Sequence, residues 1–197
     1  MLQQFANGLA SYLLKKKIVK QDDYEIYTYG IEAILSTLLN TIIVLFLGIA
    51  IGMIFETLIF LVAFAILRVY CGGYHSKSHW GCVLTFSALY GFSMLIISFL
   101  PSSASDVFSL VATGVSLCVI FILAPLEHAN RPFVGNEHKV FRLLSRIIAI
   151  IEAGAIVLFL FSKHRHLHIS LSLSLAMLCV AFILVYGKIK VGGEKNK

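Results

Sequence analysis

Charged residues are scarce in this sequence. Asp, Glu, Lys and Arg make up 13% of the 197 residues and hydrophobic residues 59%, whereas soluble domains carry about 25% charged and about 45–50% apolar residues. A soluble fold could not bury that much apolar surface. Because a helix needs about 20 apolar residues to cross a hydrocarbon core about 30 Å thick, the long uncharged runs predict an all-α, polytopic integral membrane protein.

Cysteine is sparse as well, and its positions imply no disulfide framework. The four cysteines are scattered, and Cys118 and Cys179 lie deep in apolar runs, where a free thiol behaves as a small hydrophobic group. No cleavable signal peptide is expected, because residues 1–30 carry lysines and acidic residues and have no early apolar core. The first spanning helix would then serve as the insertion signal.

The uncharged runs predict six spanning helices. Residues 33–67 contain one charge, Glu56, and are too long for a single span, so they should form two helices that turn near Gly48 and Gly52. The other four spans are expected at residues 80–100, 107–126, 147–162 and 168–187, with polar loops at 101–106, 127–146 and 163–166, of which the second could contain a short helix.

The basic residues predict how these spans are oriented. With six spans and both termini in the cytoplasm, 14 of the 16 Lys and Arg residues lie on the cytoplasmic side, as the positive-inside rule requires. Only Lys163 and Arg165 fall outside. The positive net charge is therefore a topology signal, and no nucleic-acid partner is expected.

We expect one membrane domain over residues 1–197, without an internal repeat. It comprises a cytoplasmic amphipathic segment at 1–30, transmembrane helices at 31–187 and a basic cytoplasmic tail at 188–197. Apolar residues of the first segment recur at helical spacing ahead of a lysine cluster; they are Leu2, Phe5, Leu9, Tyr12 and Leu13. This helix would lie on the membrane surface or be a short solvated helix, and the sequence favours neither.

The reactive residue types concentrate at residues 68–82, between the second and third spans. His75 and Cys82 are the pair of interest, because an imidazole can take the proton of a nearby thiol and stabilise the thiolate. On one continuous helix they would lie about 10 Å apart along the axis, too far for direct proton transfer. If the pair is catalytic, the segment between them must fold back or form a re-entrant loop.

Three residues of the same segment could support such a pair. Gly72 and Gly73 allow a tight turn and a close approach of the backbone to a substrate. Arg68, just inside the second span, offers a fixed positive charge that could stabilise a thiolate or hold a substrate carboxylate.

Two other interpretations stay open. Cys71, His75, His79 and Cys82 follow one another at intervals of four, four and three, a spacing that zinc ligands on a helix could use, although the glycines would break that helix. Glu152 is an ionisable residue inside a span, so it marks a functional site or a side chain that reaches the inner interface. A small transporter would explain it, but no repeat-like halves are evident.

Residues 68–82, with Gly-Gly-x-His followed seven residues later by Cys, resemble the motif of the accessory gene regulator B family. The second polar loop, which begins at residues 124–132 with the sequence APLEHANRP, is also similar to that family's loop. Chain length and span layout agree with the family over essentially the whole chain. One departure is the second loop, where other members can carry a lysine cluster and this chain has dispersed basic residues.

The resemblance implies a bacterial membrane cysteine endopeptidase that converts a small amphipathic propeptide, accessory gene regulator D, into a cyclic quorum-sensing peptide. By motif position, Cys82 is the catalytic cysteine and His75 its histidine, and the supporting residues are Arg68, Gly72 and Gly73. In the implied reaction His75 deprotonates Cys82, the thiolate forms a thioester with the peptide, and a nucleophile within the peptide closes the ring.

No third catalytic residue is obvious. Glu127 or Asn130 in the second loop could orient His75 if the two loops meet, as a triad requires. The family also implies a homodimer in the bacterial cell membrane, with the active site facing the cytoplasm, the propeptide and the bilayer as partners, and no metal or other cofactor. The competing classes are a small membrane transporter and a metal-dependent membrane hydrolase.

Overall fold

The computed structural model describes residues 2–73, 79–127, 135–161 and 168–194. In these ranges the chain forms seven α-helices and one short 3-10 turn at Gln21–Asp23. The helices are α1 (Leu2–Lys15), α2 (Tyr24–Ala50), α3 (Ile54–Cys71), α4 (His79–Phe99), α5 (Ser102–Leu123), α6 (Glu137–Leu160) and α7 (Ile169–Glu194). Because α2 to α7 are each long and apolar enough to cross a membrane, the predicted all-α, six-span membrane fold is confirmed.

The turn between α2 and α3 lies where the glycines predict it, but only one of them forms it. Gly52 has a φ of +73°, in the left-handed region that favours glycine. Gly48 lies inside α2, and a Cβ there would overlap the side chain of Thr57 on α3. Gly48 adjoins the turn, since its carbonyl accepts the N–H of Met53 at 2.9 Å, and its small size lets α2 and α3 approach closely.

Two helices extend into segments that polarity predicts to be loops. The Ser-rich stretch at 102–106 begins α5, directly after Pro101, and residues 137–146 form the first turns of α6. Hydropathy indicates which residues face lipid and does not prevent a polar segment from being helical. In α6 the polar turns still bury one side, since Ser145 is fully buried one turn before Ala149.

The last helix, α7, is the centre of the bundle. It packs against α3, α4, α5 and α6. Of its 18-residue apolar stretch 56% is buried inside the protein, against 22–33% of the corresponding stretches of the other spans. Its alternating Ser and Leu residues imitate a strand, yet they form a helix, as expected inside the bilayer. Small serines such as Ser172 and Ser174 are fully buried and allow close packing.

Alternation of the six spans places several helix ends on one side of the bundle. These are the beginnings of α2, α4 and α6 and the ends of α3 and α5, a side that we call the Gly72 side. The N-terminal helix α1 joins α2 at the same side. The segments that carry the candidate residues therefore meet here.

Candidate functional site

The end of α3 is set by two consecutive glycines. Gly72 and Gly73 have φ values of +67° and +114°, conformations that other L-residues rarely adopt. The Gly72 N–H closes the last turn by donating to the carbonyl of Arg68 at 3.2 Å. Cys71, the last residue of α3, is completely buried.

The glycines bring the two polar loops together. The Leu126 N–H donates to the carbonyl of Cys71 at 2.9 Å, and the Gly73 N–H donates to the carbonyl of Leu126 at 3.3 Å. This is a parallel bridge between Gly72 and Leu126. A Cβ on Gly72 would overlap the Leu126 carbonyl oxygen, so the pairing requires glycine. The meeting of the loops, which a triad from Glu127 or Asn130 would need, is thus present at their first residues.

Arg68 connects the end of α3 with the beginning of α4. Its guanidinium lies beside Gly73, where an added Cβ would be 2.5 Å from Nη1 and 3.2 Å from Ile183 Cγ2 of α7. The same guanidinium lies within electrostatic range of the thiols of both Cys71 and Cys82. The predicted fixed positive charge is therefore within electrostatic range of the candidate nucleophile.

Cys82 lies in the first turn of α4, which begins at His79. Its side chain is partly exposed and its thiol is free. The sequence leaves open whether the third span begins before or after this residue; the structure places Cys82 inside the helix but at its end, on the Gly72 side. His75 and Asn130 lie outside the described residues, so the distance from His75 to Cys82 stays a prediction.

Helix boundaries exclude the helical zinc arrangement. It requires Cys71 and Cys82 on one continuous helix, whereas α3 ends at Cys71 and a separate helix, α4, starts at His79. Among the residues that the structure describes, no three His, Cys, Asp or Glu side chains form a group that could hold a metal ion.

Glu152 of α6 lies in the bundle interior beside the end of α3. It is 8% exposed and lies within electrostatic range of the Cys71 thiol. Its Oε2 atom has no hydrogen-bond partner within the described ranges. The side chain is therefore buried against neighbouring helices, not extended to the interface, and it remains a functional candidate. Glu127, in contrast, is exposed and directly follows Leu126.

Two contacts that sequence patterns do not reveal fix the neighbouring helix ends. Arg146 of α6 donates from Nη2 to the carbonyl of Phe121 at 3.0 Å, and its guanidinium lies 5.2 Å from the centre of the Phe121 ring. The rings of Tyr70 and Phe141 have centroids 5.8 Å apart. Together they tie α5 to α6 and α3 to α6 near the bridge between Gly72 and Leu126.

Comparison with known proteins identifies similar chains. Residues 6–184 match the family described as accessory gene regulator B. The chain is 34% identical over 143 residues to AgrB-like protein 2 of Clostridium perfringens strain 13 and 34% identical over 139 residues to an AgrB-like protein of Clostridium beijerinckii. These alignments cover 66% and 68% of this chain and 65% of each relative. An AgrB-like protein of Listeria monocytogenes strain EGD-e is 26% identical over 133 residues, which cover 66% of this chain and 64% of the relative. No solved structure matches the chain.

Proposed function

Because this chain belongs to the accessory gene regulator B family, we propose that it is a membrane-embedded cysteine endopeptidase of peptide quorum sensing. Its substrate would be a small propeptide similar to accessory gene regulator D. The observation that carries the proposal is the position of Cys82, a free and partly exposed thiol at a helix end, with the charge of Arg68 acting on it.

The other three cysteines are poor candidates for a nucleophile. Cys71 and Cys179 are buried, which keeps a substrate carbonyl away from them. Cys118 is exposed, but it lies within the spanning helix α5, more than one turn before its end at Leu123, and a thiol in lipid is inert. Cys82 alone among the four combines exposure, a helix end and a neighbouring positive charge.

The proposed reaction begins at Cys82. His75 takes the thiol proton, and the thiolate attacks the scissile carbonyl carbon of the propeptide. The peptide C–N bond breaks, His75 returns the proton to the leaving amine, and the N-terminal part of the peptide stays on Cys82 as a thioester. A thiol within the bound peptide then attacks this thioester, which forms the ring and releases Cys82.

The surrounding residues have supporting roles in this proposal. Arg68 stabilises negative charge on the sulfur, and Gly72 and Gly73 let the backbone approach the peptide without side-chain interference. Glu127 or Asn130 orients His75, since both belong to the loop that starts at the bridge with Gly72. Cyclisation must outrun hydrolysis, and a site at a membrane surface favours this because less water reaches the thioester.

The distribution of Lys and Arg supports a location in the bacterial cell membrane with the Gly72 side in the cytoplasm. The propeptide would approach from that side, along the bilayer. We also expect the protein to act as a homodimer, as the resemblance to the family implies.

The test is cleavage of a candidate propeptide co-expressed with membrane-inserted variants. We expect Cys82→Ala to reduce cleavage on the order of 10³-fold or more, because the nucleophile is lost. Cys71→Ala is the matched control. It removes a buried thiol within electrostatic range of the same arginine, and this variant should still cleave the propeptide. His75→Ala should lose cleavage as Cys82→Ala does.

Unchanged cleavage by Cys82→Ala, at equal protein levels in the membrane, would refute the proposal. Loss of cleavage in Cys71→Ala but not in Cys82→Ala would mean that Cys71, and not Cys82, is the nucleophile. Stoichiometric zinc in the purified active protein, with cleavage abolished by a chelator, would favour a metal-dependent hydrolase instead.

A further inference from the structure

Helix α1 is held against the beginning of α2 by one of its sides. It packs on α2, and Ala6 and Ala10 are completely buried. The Ser11 hydroxyl and the Tyr24 hydroxyl form a 3.1 Å hydrogen bond, and the Tyr24 hydroxyl donates to the carbonyl of Asn7 at 3.4 Å. The rotation of α1 about its own axis is therefore fixed by the fold.

A second side of α1 is apolar and uncovered. Phe5, Leu9 and Tyr12 are spaced by four and three residues, so they form one row, and they are 72%, 45% and 56% exposed. Successive residues of a helix lie about 100° apart, which places Phe5 and Leu9 about 100° around the axis from Ala6 and Ala10. The row thus lies beside the contact with α2 and is not covered by it.

The third side of α1 is polar and lies beside the row, about 100° around the axis from it on average. Gln4 and Lys15 lie there, and both are exposed. A helix with one packed, one apolar and one polar side is suited to a boundary between water and an apolar phase.

The short connection to α2 keeps α1 at the end of the bundle where α2 begins. Residues 16–23, which include the 3-10 turn at Gln21–Asp23, join the two helices, and α2, which is long and apolar enough to span a membrane, begins directly afterwards. Ile18 in this connection, and Ile26 and Tyr27 in the first turns of α2, are exposed apolar side chains as well. Exposed apolar side chains therefore follow one another along the chain from the row into a helix that is apolar enough to span the membrane.

We propose that α1 is a membrane-surface anchor whose row of Phe5, Leu9 and Tyr12 inserts into the bilayer leaflet at which α2 begins. Aromatic side chains are favourable at the headgroup level, and exposed lysines at 15–17 contact the lipid phosphates. Acidic residues at 22, 23 and 25 follow closely, so the anchor rests mainly on the apolar row and depends only weakly on anionic lipid. It lies on the Gly72 side, as Cys82 does, and holds that side at the bilayer surface.

The experiment uses the full chain in nanodiscs of phosphatidylcholine and phosphatidylglycerol, with or without bromine on the acyl chains. One tryptophan is added on the row, as Leu9→Trp or Phe5→Trp, or on the polar side, as Gln4→Trp, the matched control. Trp80 is present in all variants, so the wild-type signal is subtracted. We expect the brominated lipid to quench the tryptophans at positions 5 and 9 at least about twofold more than that at position 4, also in pure phosphatidylcholine.

Two results would overturn the proposal. Equally weak quenching and the same water-exposed emission wavelength at positions 4 and 9 would mean that the row is in water. Shielding at position 9 without quenching by bromine would mean that protein covers the row. Exposure of that tryptophan at one chain per disc would then identify a second copy as the cover. Neither result depends on cleavage, so the proposed function is tested separately.

Discussion

Gly72 is the residue on which the contact between the two polar loops depends most directly. It combines a φ of +67° with the Leu126 carbonyl in the space that a Cβ would need. Gly52 has nearly the same φ, +73°, but open space around it. Comparison of the two positions therefore separates the cost of the backbone conformation from the cost of the lost contact.

Gly52→Ala should destabilise the protein by about 1 kcal/mol, the usual cost of a left-handed conformation for an L-residue. Gly72→Ala should destabilise the protein more, because it also separates α3 from Leu126. Of the two variants, only Gly72→Ala should abolish propeptide cleavage. Thermal unfolding in detergent and the cleavage assay measure the two effects. Equal losses of stability and cleavage at both positions would show that the bridge has no functional role.

At this scale the sequence predicts side-chain chemistry well and backbone pairing poorly. Arg68 and Cys82 attract attention by residue type and spacing, and in the structure they lie within electrostatic range of each other. Leu126 has no such mark, because its part in the site is played by its backbone N–H and carbonyl, which every residue except proline possesses. The burial of Glu152 also depends on which helices pack around α6, and a single sequence does not show this.

Among the helices, α2 and α3 pack so closely at residue 48 that no side chain larger than that of glycine fits there. The side chain of Thr57 lies against Gly48. Rotation of the Thr57 side chain would break two hydrogen bonds. Its Oγ1 donates to the carbonyl of Met53 at 2.7 Å and hydrogen-bonds with the Tyr90 hydroxyl at 2.6 Å in the buried interior. This network joins α2, α3 and α4 within the membrane.

Gly48→Ala should therefore destabilise the fold by about 1–3 kcal/mol through overpacking. Gly91→Ala is the matched control, since Gly91 is also in a helix and has open space where the Cβ would go; there alanine should be neutral or slightly stabilising. Adding Thr57→Ala should relieve the overlap at Gly48. If Gly48→Ala is as stable as Gly91→Ala in thermal unfolding, the close approach of the two helices is wrong.

The helices themselves are predictable to different degrees. Long apolar runs locate all six spans, because the bilayer leaves a helix as the only way to satisfy the backbone. The polar first turns of α5 and α6 escape prediction, since hydropathy changes at the membrane surface and helical structure continues beyond it. Proline at 101 ends one helix and precedes the next, which is a helix-start signal that can be read in advance.

For the whole molecule, six spans fix the relative sidedness of every connection. A reporter fused after residue 135 should lie on the same side of the membrane as one fused after residue 191, and reporters after 101 or 161 should lie on the opposite side. The positive-inside rule assigns the first pair to the cytoplasm. Reporters that are active only outside the cytoplasm measure this. Activity at 135 and silence at 101 would reverse the proposed orientation and place Cys82 on the wrong side.

The arrangement of the spans around α7 is a property of the whole chain that hydropathy does not contain. All six runs are similarly apolar, yet α7 is buried about twice as much as the others. Its small residues permit the central position, but such residues also occur in other spans. The order of packing depends on side-chain fit between distant segments, which periodicity in a single segment cannot encode.

A thioester on Cys82 is the central claim, and intact-protein mass spectrometry tests it most directly. The purified protein would be incubated with a synthetic propeptide whose ring-closing thiol is replaced by a methyl group, so that cyclisation cannot remove the acyl group. The account predicts a mass increase equal to the N-terminal fragment less one water, located on Cys82, removed by hydroxylamine and absent in Cys82→Ala. A cleaved propeptide with no adduct on the protein, or an adduct on Cys71, would contradict it.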